Sequence, residues 1–452
     1  MKPFDCLRAI RAGLPLSPAL ARALATALAL AMFPLHAEPP PGDPPADSGA
    51  ATRLRMEQAE QLAVEQQPLL EALDARARAA REQAIAARQL PDPQLLAGVV
   101  DLPVDTAEAG SFRQDSDTQI QVGLMQEFPR AAKRQLRGDS LGHEVERLAA
   151  DRSLAARSIR RDAALAWLQV WRDEQALELT RATQREAQVQ VQAVEIALKA
   201  GRAAQADLLT ARIEAGRLRD NVAGAEQSLA HARNRLARWI GDAAQQAIDA
   251  DLPAPPPLPP LERVLARVRV HPQLAGLQAQ VAAAQTGADL AQASYAPDWR
   301  VELGYAHRQA YSEEVTLKLG VDLPVFTRNR QDRGLAAALA EKDAAEFAVA
   351  DGLRQLQAEA RLNHHDLIRL GERIRDYDDA LLPQTRSRID AALAAWRSGS
   401  GQLTQVLDAR RAALELQMNR LDLQLDAAMH SIQLRYLGAY GTASDGGENS
   451  DE

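Results

Sequence analysis

Histidines, carboxylates and one cysteine are the side chains of this 452-residue sequence that could bind a metal or move a proton, and none is spaced for either task. His364 and His365 are adjacent, so on a helix they project about 100° apart and do not converge on one ion; ordinary packing or solvent exposure is expected of them. His143, His231, His271, His307 and His430 are scattered, and the single cysteine, Cys6, has no partner thiol. A Gly-rich phosphate loop, a Ser-His-Asp set, a paired-carboxylate motif and HExxH are all missing from the sequence. No catalytic residue, cofactor or metal ligand is therefore assigned, and an enzyme is not expected. What remains is a charged set just beyond two glycines. Asp207 and Arg212 follow Gly201, and Asp408, Arg410 and Arg411 follow Gly399. By themselves these read as a solvated helix face or local ion pairs.

The elements that carry these residues occur twice. Gln67-Pro68-Leu69-Leu70 is answered by His271-Pro272-Gln273-Leu274, Pro91-Asp92 by Pro297-Asp298, and Phe128-Pro129 by Leu323-Pro324. Lys133-Arg134 and Arg137-Gly138 match Asn329-Arg330 and Arg333-Gly334. Gly201, Leu209, Ala211, Arg212 and Asn221 match Gly399, Leu407, Ala409, Arg410 and Asn419 at one constant offset. From about Ala131 to Lys199 no proline occurs and apolar residues recur every three or four positions, which predicts one helix of roughly 70 residues, about 100 Å long. Its counterpart runs from about Gln331 to Arg397 and should bend at Pro383. Helices of about half that length follow each glycine, and shorter ones of about 22 residues follow Pro68 and Pro272. A narrow apolar stripe of this length needs a coiled-coil partner, so each half is expected to pair one continuous strand of coiled coil with a split one. Trp167 and Trp171, one turn apart, share a face and should pack between helices or subunits.

Between the helices each half carries two strand-like segments. Val315, Leu317, Leu319, Val321 and Leu323 alternate with polar residues and glycine, as do Trp299, Val301, Leu303 and Tyr305, and Ile120, Val122, Leu124 and Phe128. Gln126 interrupts the last series, and the stretch from Leu95 to Leu102 alternates poorly. Strands of about ten residues with aromatics near their ends (Phe112, Phe128, Trp299, Tyr305, Tyr311) suit a membrane β-barrel. A small soluble sheet with one buried face is the plainer reading of any single strand. Four strands cannot close a barrel in lipid, so a barrel requires oligomerisation, and three chains would supply twelve strands.

Residues 1–37 read as an export signal: four basic residues precede an uncharged run over 23–37, too short to span a membrane, with cleavage expected after Ala37. That segment contains Cys6 and carries a net +3, so its removal takes the charge from −8 to −11 and leaves no cysteine for a lipid anchor. An acidic exported chain is a poor candidate for nucleic acid. The expected organisation is a Pro-rich leader over 38–50, a first repeat over 51–248, a polyproline linker over 249–260, a second repeat over 261–440 and an acidic tail over 441–452. Strands are expected at about 94–103, 117–128, 299–308 and 313–323, and helical hairpins at about 131–240 and 331–438. The fold class is mostly α with a small β part.

With a signal, a duplicated helix-strand-strand-helix-helix unit, a polyproline join and paired glycine turns, the sequence resembles the TolC-like outer-membrane efflux proteins. The segments Glu127-Phe128-Pro129-Arg130-Ala131-Ala132-Lys133-Arg134 and Asp322-Leu323-Pro324-Val325-Phe326-Thr327-Arg328-Asn329-Arg330 look like the heavy-metal (cobalt-zinc-cadmium) branch. The resemblance implies a homotrimer with a twelve-stranded barrel in outer-membrane lipid and a helical tunnel across the periplasm. It would be the exit duct of a tripartite pump, joined by a periplasmic adaptor (membrane-fusion protein) to an inner-membrane RND transporter, with heavy-metal cations as cargo. Gly201, Arg202, Gly399, Ser400 and Gly401 would then form adaptor-contact tips, and Asp207, Arg212, Asp408 and Arg410 a periplasmic gate, with Asp408 repeated as a ring of three. The alternative is a soluble periplasmic coiled-coil adaptor or structural protein.

Overall fold

The computed structural model describes residues 53–440 apart from 106, 108, 112–116 and 309–310. The expected export segment with Cys6, the leader, Phe112 and the acidic tail lie outside the described residues. Two short helices open the described chain, α1 (Met56–Glu65) and α2 (Pro68–Ala87), followed by β1 (Gln94–Val100), β2 (Gln119–Phe128), α3 (Ala131–Lys199) and α4 (Gln205–Ile240). After the linker come α5 (Leu261–Val268), α6 (Pro272–Ala293), β3 (Trp299–Arg308), β4 (Glu314–Val321), α7 (Gln331–Asp376), α8 (Leu382–Arg397) and α9 (Leu403–Tyr436). The chain is mostly helical with one small sheet.

Pro68 and Pro272 stand at the start of α2 and α6, where a missing N–H costs nothing. The α3 helix is 69 residues without a break, about 100 Å at 1.5 Å per residue. Its counterpart is interrupted: a π-turn, Tyr377–Leu381, separates α7 from α8 immediately before Pro383. Proline lacks an N–H and its ring crowds the carbonyl four residues back, so the extra residue of a π-turn accommodates the mismatch at the place where a bend is expected. The short helices α1 and α5 add to the expected set. Val264 and Val268, four apart, are completely buried on one face of α5, and Ala59 and Ala63 do the same on α1.

The main core gathers Trp167, Leu168, Val170 and Trp171 of α3 with Leu54, Ala59, Ala63, Leu236, Ile240 and Ile248. Both indoles are buried and both find backbone acceptors, as buried indoles usually do: Trp167 Nε1 donates to the Leu54 carbonyl at 3.0 Å and Trp171 Nε1 to the Ala250 carbonyl at 2.8 Å. The chain entering α1 and the chain leaving α4 are thereby fastened to the middle of the long helix, and Leu54 and Ile248 form a parallel bridge beside them. A second core joins α5, α6, α7 and the end of α9 through Val264, Val268, Leu274, Leu356, Leu434 and Leu437.

All four strands form one antiparallel sheet in the order β1-β2-β3-β4. The central pair joins the two halves of the chain, with Phe128 opposite Trp299 and Gln119 opposite Arg308. β1 stops at Val100 because Asp101 adopts a left-handed φ of 59°. β4 is likewise shorter than expected, ending at Val321. A compact joint ties sheet to helix. Asp298, just ahead of β3, accepts from the backbone N–H of Arg130 at 3.0 Å and from Lys133 Nζ at 2.7 Å, while Lys133 also donates to the Ala296 carbonyl at 2.8 Å. Burial pushes the Asp298 carboxyl up, but the Lys133 and Arg130 bonds outweigh it and hold the group below its ordinary value.

Candidate functional site

Two regions can act on something outside the chain: the sheet and the ends of the helical hairpins. In the sheet, the pairing brings Leu95, Ala97 and Val99 into line with Ile120, Val122 and Leu124, then with Leu303 and Tyr305, and then with Val315, Leu317 and Leu319. This face is apolar and exposed. Leu95 is 74% exposed, Val315 73% and Leu319 67%, values that no soluble core surface would show. Phe128 and Trp299 stand side by side at one end of the face and Tyr305 near the other, about 20 Å away at 3.3 Å per residue. Gln126, the polar interruption, donates from Nε2 to the Pro91 carbonyl at 2.7 Å and the Glu127 carbonyl at 2.9 Å, so its amide hydrogens are spent on the backbone.

The opposite face is polar. Lys318 donates to Glu302 at 3.0 Å, Arg308 pairs with Glu314 at 2.5 Å, and Arg300 lies 3.7 Å from Asp322. Gly123 faces Gly304 across the β2–β3 pair, where an added β-carbon would come within 3.2 Å of the Leu303 carbonyl oxygen. Small residues therefore keep the middle of this face clear. Among the described residues no helix is long and apolar enough to cross a membrane.

At the far end, α3 turns into α4 at Gly201 and α8 into α9 at Gly399. These glycines have φ of 71° and 76°, the left-handed region in which a β-carbon costs about 1 kcal/mol or more. The closing bonds are alike: Arg202 N–H to Ala197 O at 2.8 Å, and Ser400 N–H to Ala395 O at 3.0 Å. Ser400 adds its hydroxyl to the same carbonyl at 3.2 Å. Gly401 is required for a different reason, since a β-carbon there would meet the Ala395 methyl at 2.9 Å. The two tips share one small core, Val194, Leu208 and Ala211 with Leu403 and Leu407, flanked by Trp396.

The charged residues beyond the tips have distinct surroundings. Asp207 caps α4, its Oδ2 accepting from the Ala204 N–H at 3.0 Å. Arg212 lies 3.5 Å from Glu195 on α3. Asp408 is exposed and accepts from Arg411 at 3.2 Å, and Arg411 also reaches Glu214 on α4 at 2.8 Å. Its hydrogen bond to Glu214 holds the Arg411 guanidinium above its ordinary value. Arg410 is mostly buried, its Nη1 3.5 Å from Glu186, and neither Nε nor Nη1 has a hydrogen-bond partner among the described residues. Glu186, Glu195 and Glu214 were not singled out in the sequence, because their partners lie on other helices and no spacing rule points across a hairpin. Asp207, by contrast, could have been read as a cap from its place three residues after Ala204, at the start of a helix.

His364 donates from Nε2 to the Pro259 carbonyl, 3.0 Å away, and therefore helps hold the linker. No group of three or more His, Cys, Asp or Glu among the described residues could hold a metal ion.

The fold is that of known outer-membrane channels. CusC, whose structures trace folding and transmembrane channel formation, superposes with a TM-score of 0.72 at 17% identity, over 86% of this chain and 93% of that one. The outer membrane protein VceC of Vibrio cholerae gives 0.70 at 19% identity, over 85% and 96%. The MtrE outer membrane channel of Neisseria gonorrhoeae in its open state gives 0.66 at 19% identity, over 86% and 89%. No protein-family model and no curated protein matches the sequence.

Proposed function

We propose that the chain is the outer-membrane exit duct of a tripartite efflux pump, acting as a passive conduit and not as a catalyst. The observation that carries this reading is the sheet: an exposed apolar face bounded by aromatics, backed by a charged face, and attached to a helix about 100 Å long. In water that apolar face would be a liability; against lipid it is satisfied. Both edges of the sheet are unpaired among the described residues, and unpaired backbone groups in hydrocarbon cost several kcal/mol each. Three copies closing edge to edge meet that requirement with twelve strands, and the recurrence of the same element order in the two halves of the chain lets a trimer behave as six similar units. The fold shared with CusC, VceC and MtrE supports the same reading.

In this arrangement the paired glycine turns, with Arg202 and Ser400 beside them, meet a periplasmic adaptor, and the adaptor links the duct to an inner-membrane RND transporter. Asp408, Arg410, Asp207 and Arg212 line or brace the periplasmic constriction. Heavy-metal cations are the proposed cargo, a choice supported by the net charge of −8 and by the two post-strand segments that resemble the metal-efflux branch. The test is fractionation of the expressed protein followed by an alkaline carbonate wash. Retention in the washed outer membrane, a trimeric mass in detergent and single-channel conductance in a bilayer are expected. Recovery as a soluble periplasmic protein would overturn the duct and favour a coiled-coil adaptor.

A further inference from the structure

The sheet contains one joint between halves that is complete and the two sides of another that is not. In the complete joint β2 meets β3, and the register that sets Phe128 opposite Trp299 also sets Asp298 opposite Pro129. From that place the Asp298 carboxylate reaches Arg130 N–H and Lys133 Nζ, five residues beyond Phe128. The incomplete sides are the outer strands. β4 is followed by Pro324 and, five residues beyond Leu323, by Arg328, which stands one residue before Asn329, the repeat counterpart of Lys133; β1 is preceded by Pro91-Asp92. Asp92 and Arg328 are both exposed, and neither enters an ion pair among the described residues. The N-terminus of α7 has no side-chain cap.

We infer that β4 of one copy pairs with β1 of the next in the register of the internal joint, Pro324 opposite Asp92, so that Asp92 of one copy binds Arg328 of its neighbour as Asp298 binds Lys133 within the chain. This inference rests on the trimeric duct proposed above and specifies how it closes.

Two features of the chain favour that register. It brings Leu317 opposite Val99, Leu319 opposite Ala97 and Val321 opposite Leu95, so that the apolar face continues without a break across the boundary; a slip of one residue would turn one strand's apolar set to the polar side. It places Lys318, the longest side chain of the polar face of β4, opposite Gly98, which has open space where a β-carbon would stand.

The experiment uses the full chain in the outer membrane of a Gram-negative host, with Cys6→Ser to remove the only cysteine. Val99→Cys is combined in turn with Val315→Cys, Leu317→Cys and Leu319→Cys, and mild oxidation is followed by denaturing gels. The Leu317 pair is expected to give covalent dimers and trimers several-fold above the other two. A maximum at Val315 or Leu319 would overturn the register and leave the trimer standing; absence of cross-links at all three, with a monomeric mass in detergent, would sink the trimeric duct itself. In the wild-type background, Asp92→Arg and Arg328→Asp should each lower the temperature at which the trimer dissociates, and the double exchange should regain most of the loss. Failure of the double exchange to recover would remove the Asp92–Arg328 contact.

Discussion

Trp167 on the long α3 helix donates its indole hydrogen to the carbonyl of Leu54, 113 residues earlier in the chain and 3.0 Å away. That bond, with its neighbour from Trp171 to Ala250, binds the entry and exit of the first half to the helix midpoint. Trp167 is completely buried, so Trp167→Ala should cost about 3–5 kcal/mol from the lost ring and the cavity it leaves. Trp167→Phe keeps most of the ring and should cost closer to 1 kcal/mol for the missing hydrogen bond. Chemical unfolding of the detergent-solubilised protein, followed by circular dichroism, would separate the two.

His271 caps the start of α6, buried against the edge of the Tyr436 ring at 5.2 Å. Burial, and then the nearby Arg157, depress its pKa from 6.5 to about 4, the backbone of Tyr436 opposing. The folded state therefore prefers neutral imidazole. Its contribution is complete above about pH 6.5, where the unfolded chain is neutral too, and is lost as pH falls towards about 4, at roughly 1.4 kcal/mol per pH unit. A melting temperature that declines over that window in the native chain, and declines less in His271→Asn, is the expected result.

The tips offer two glycines with different reasons to resist alanine. Gly399→Ala should strain a left-handed turn by about 1 kcal/mol or more, whereas Gly401→Ala should act through contact with the Ala395 methyl. Both should increase protease nicking between α8 and α9 and, if the proposed duct holds, weaken capture of an adaptor without changing membrane insertion.

Asp408 and Glu214 share Arg411. Asp408→Ala should leave stability within about 1 kcal/mol, as exposed ion pairs usually do, yet reduce cation preference in bilayer recordings and lower tolerance to cobalt, zinc or cadmium. Unchanged conductance, selectivity and tolerance would remove Asp408 from the proposed gate. Arg411→Ala, which frees α9 from α4, should raise conductance.

Local features were legible in the sequence. Apolar spacing marks α3 over 131–199, alternation marks β3 over 299–308, and Gly201 and Gly399 mark reversals, because each depends only on neighbours within a few residues. The short α1 and α5 leave a weaker signal, since Leu261, Val264, Leu265 and Val268 carry a helical spacing over barely two turns, and Pro383 marks an interruption without specifying the π-turn before it.

Which distant groups meet was decided by tertiary structure alone. That β2 lies beside β3, that Lys133 finds Asp298, that Arg411 finds Glu214 and that both indoles close on backbone carbonyls are matters of register and packing between segments up to 197 residues apart. Periodicity says which face of an element seeks burial but not which partner provides it. The sequence by itself therefore determined the lengths and faces of the elements, whereas the choice of partners, and with it the charged joint at the sheet and the braced tips, came from the fold.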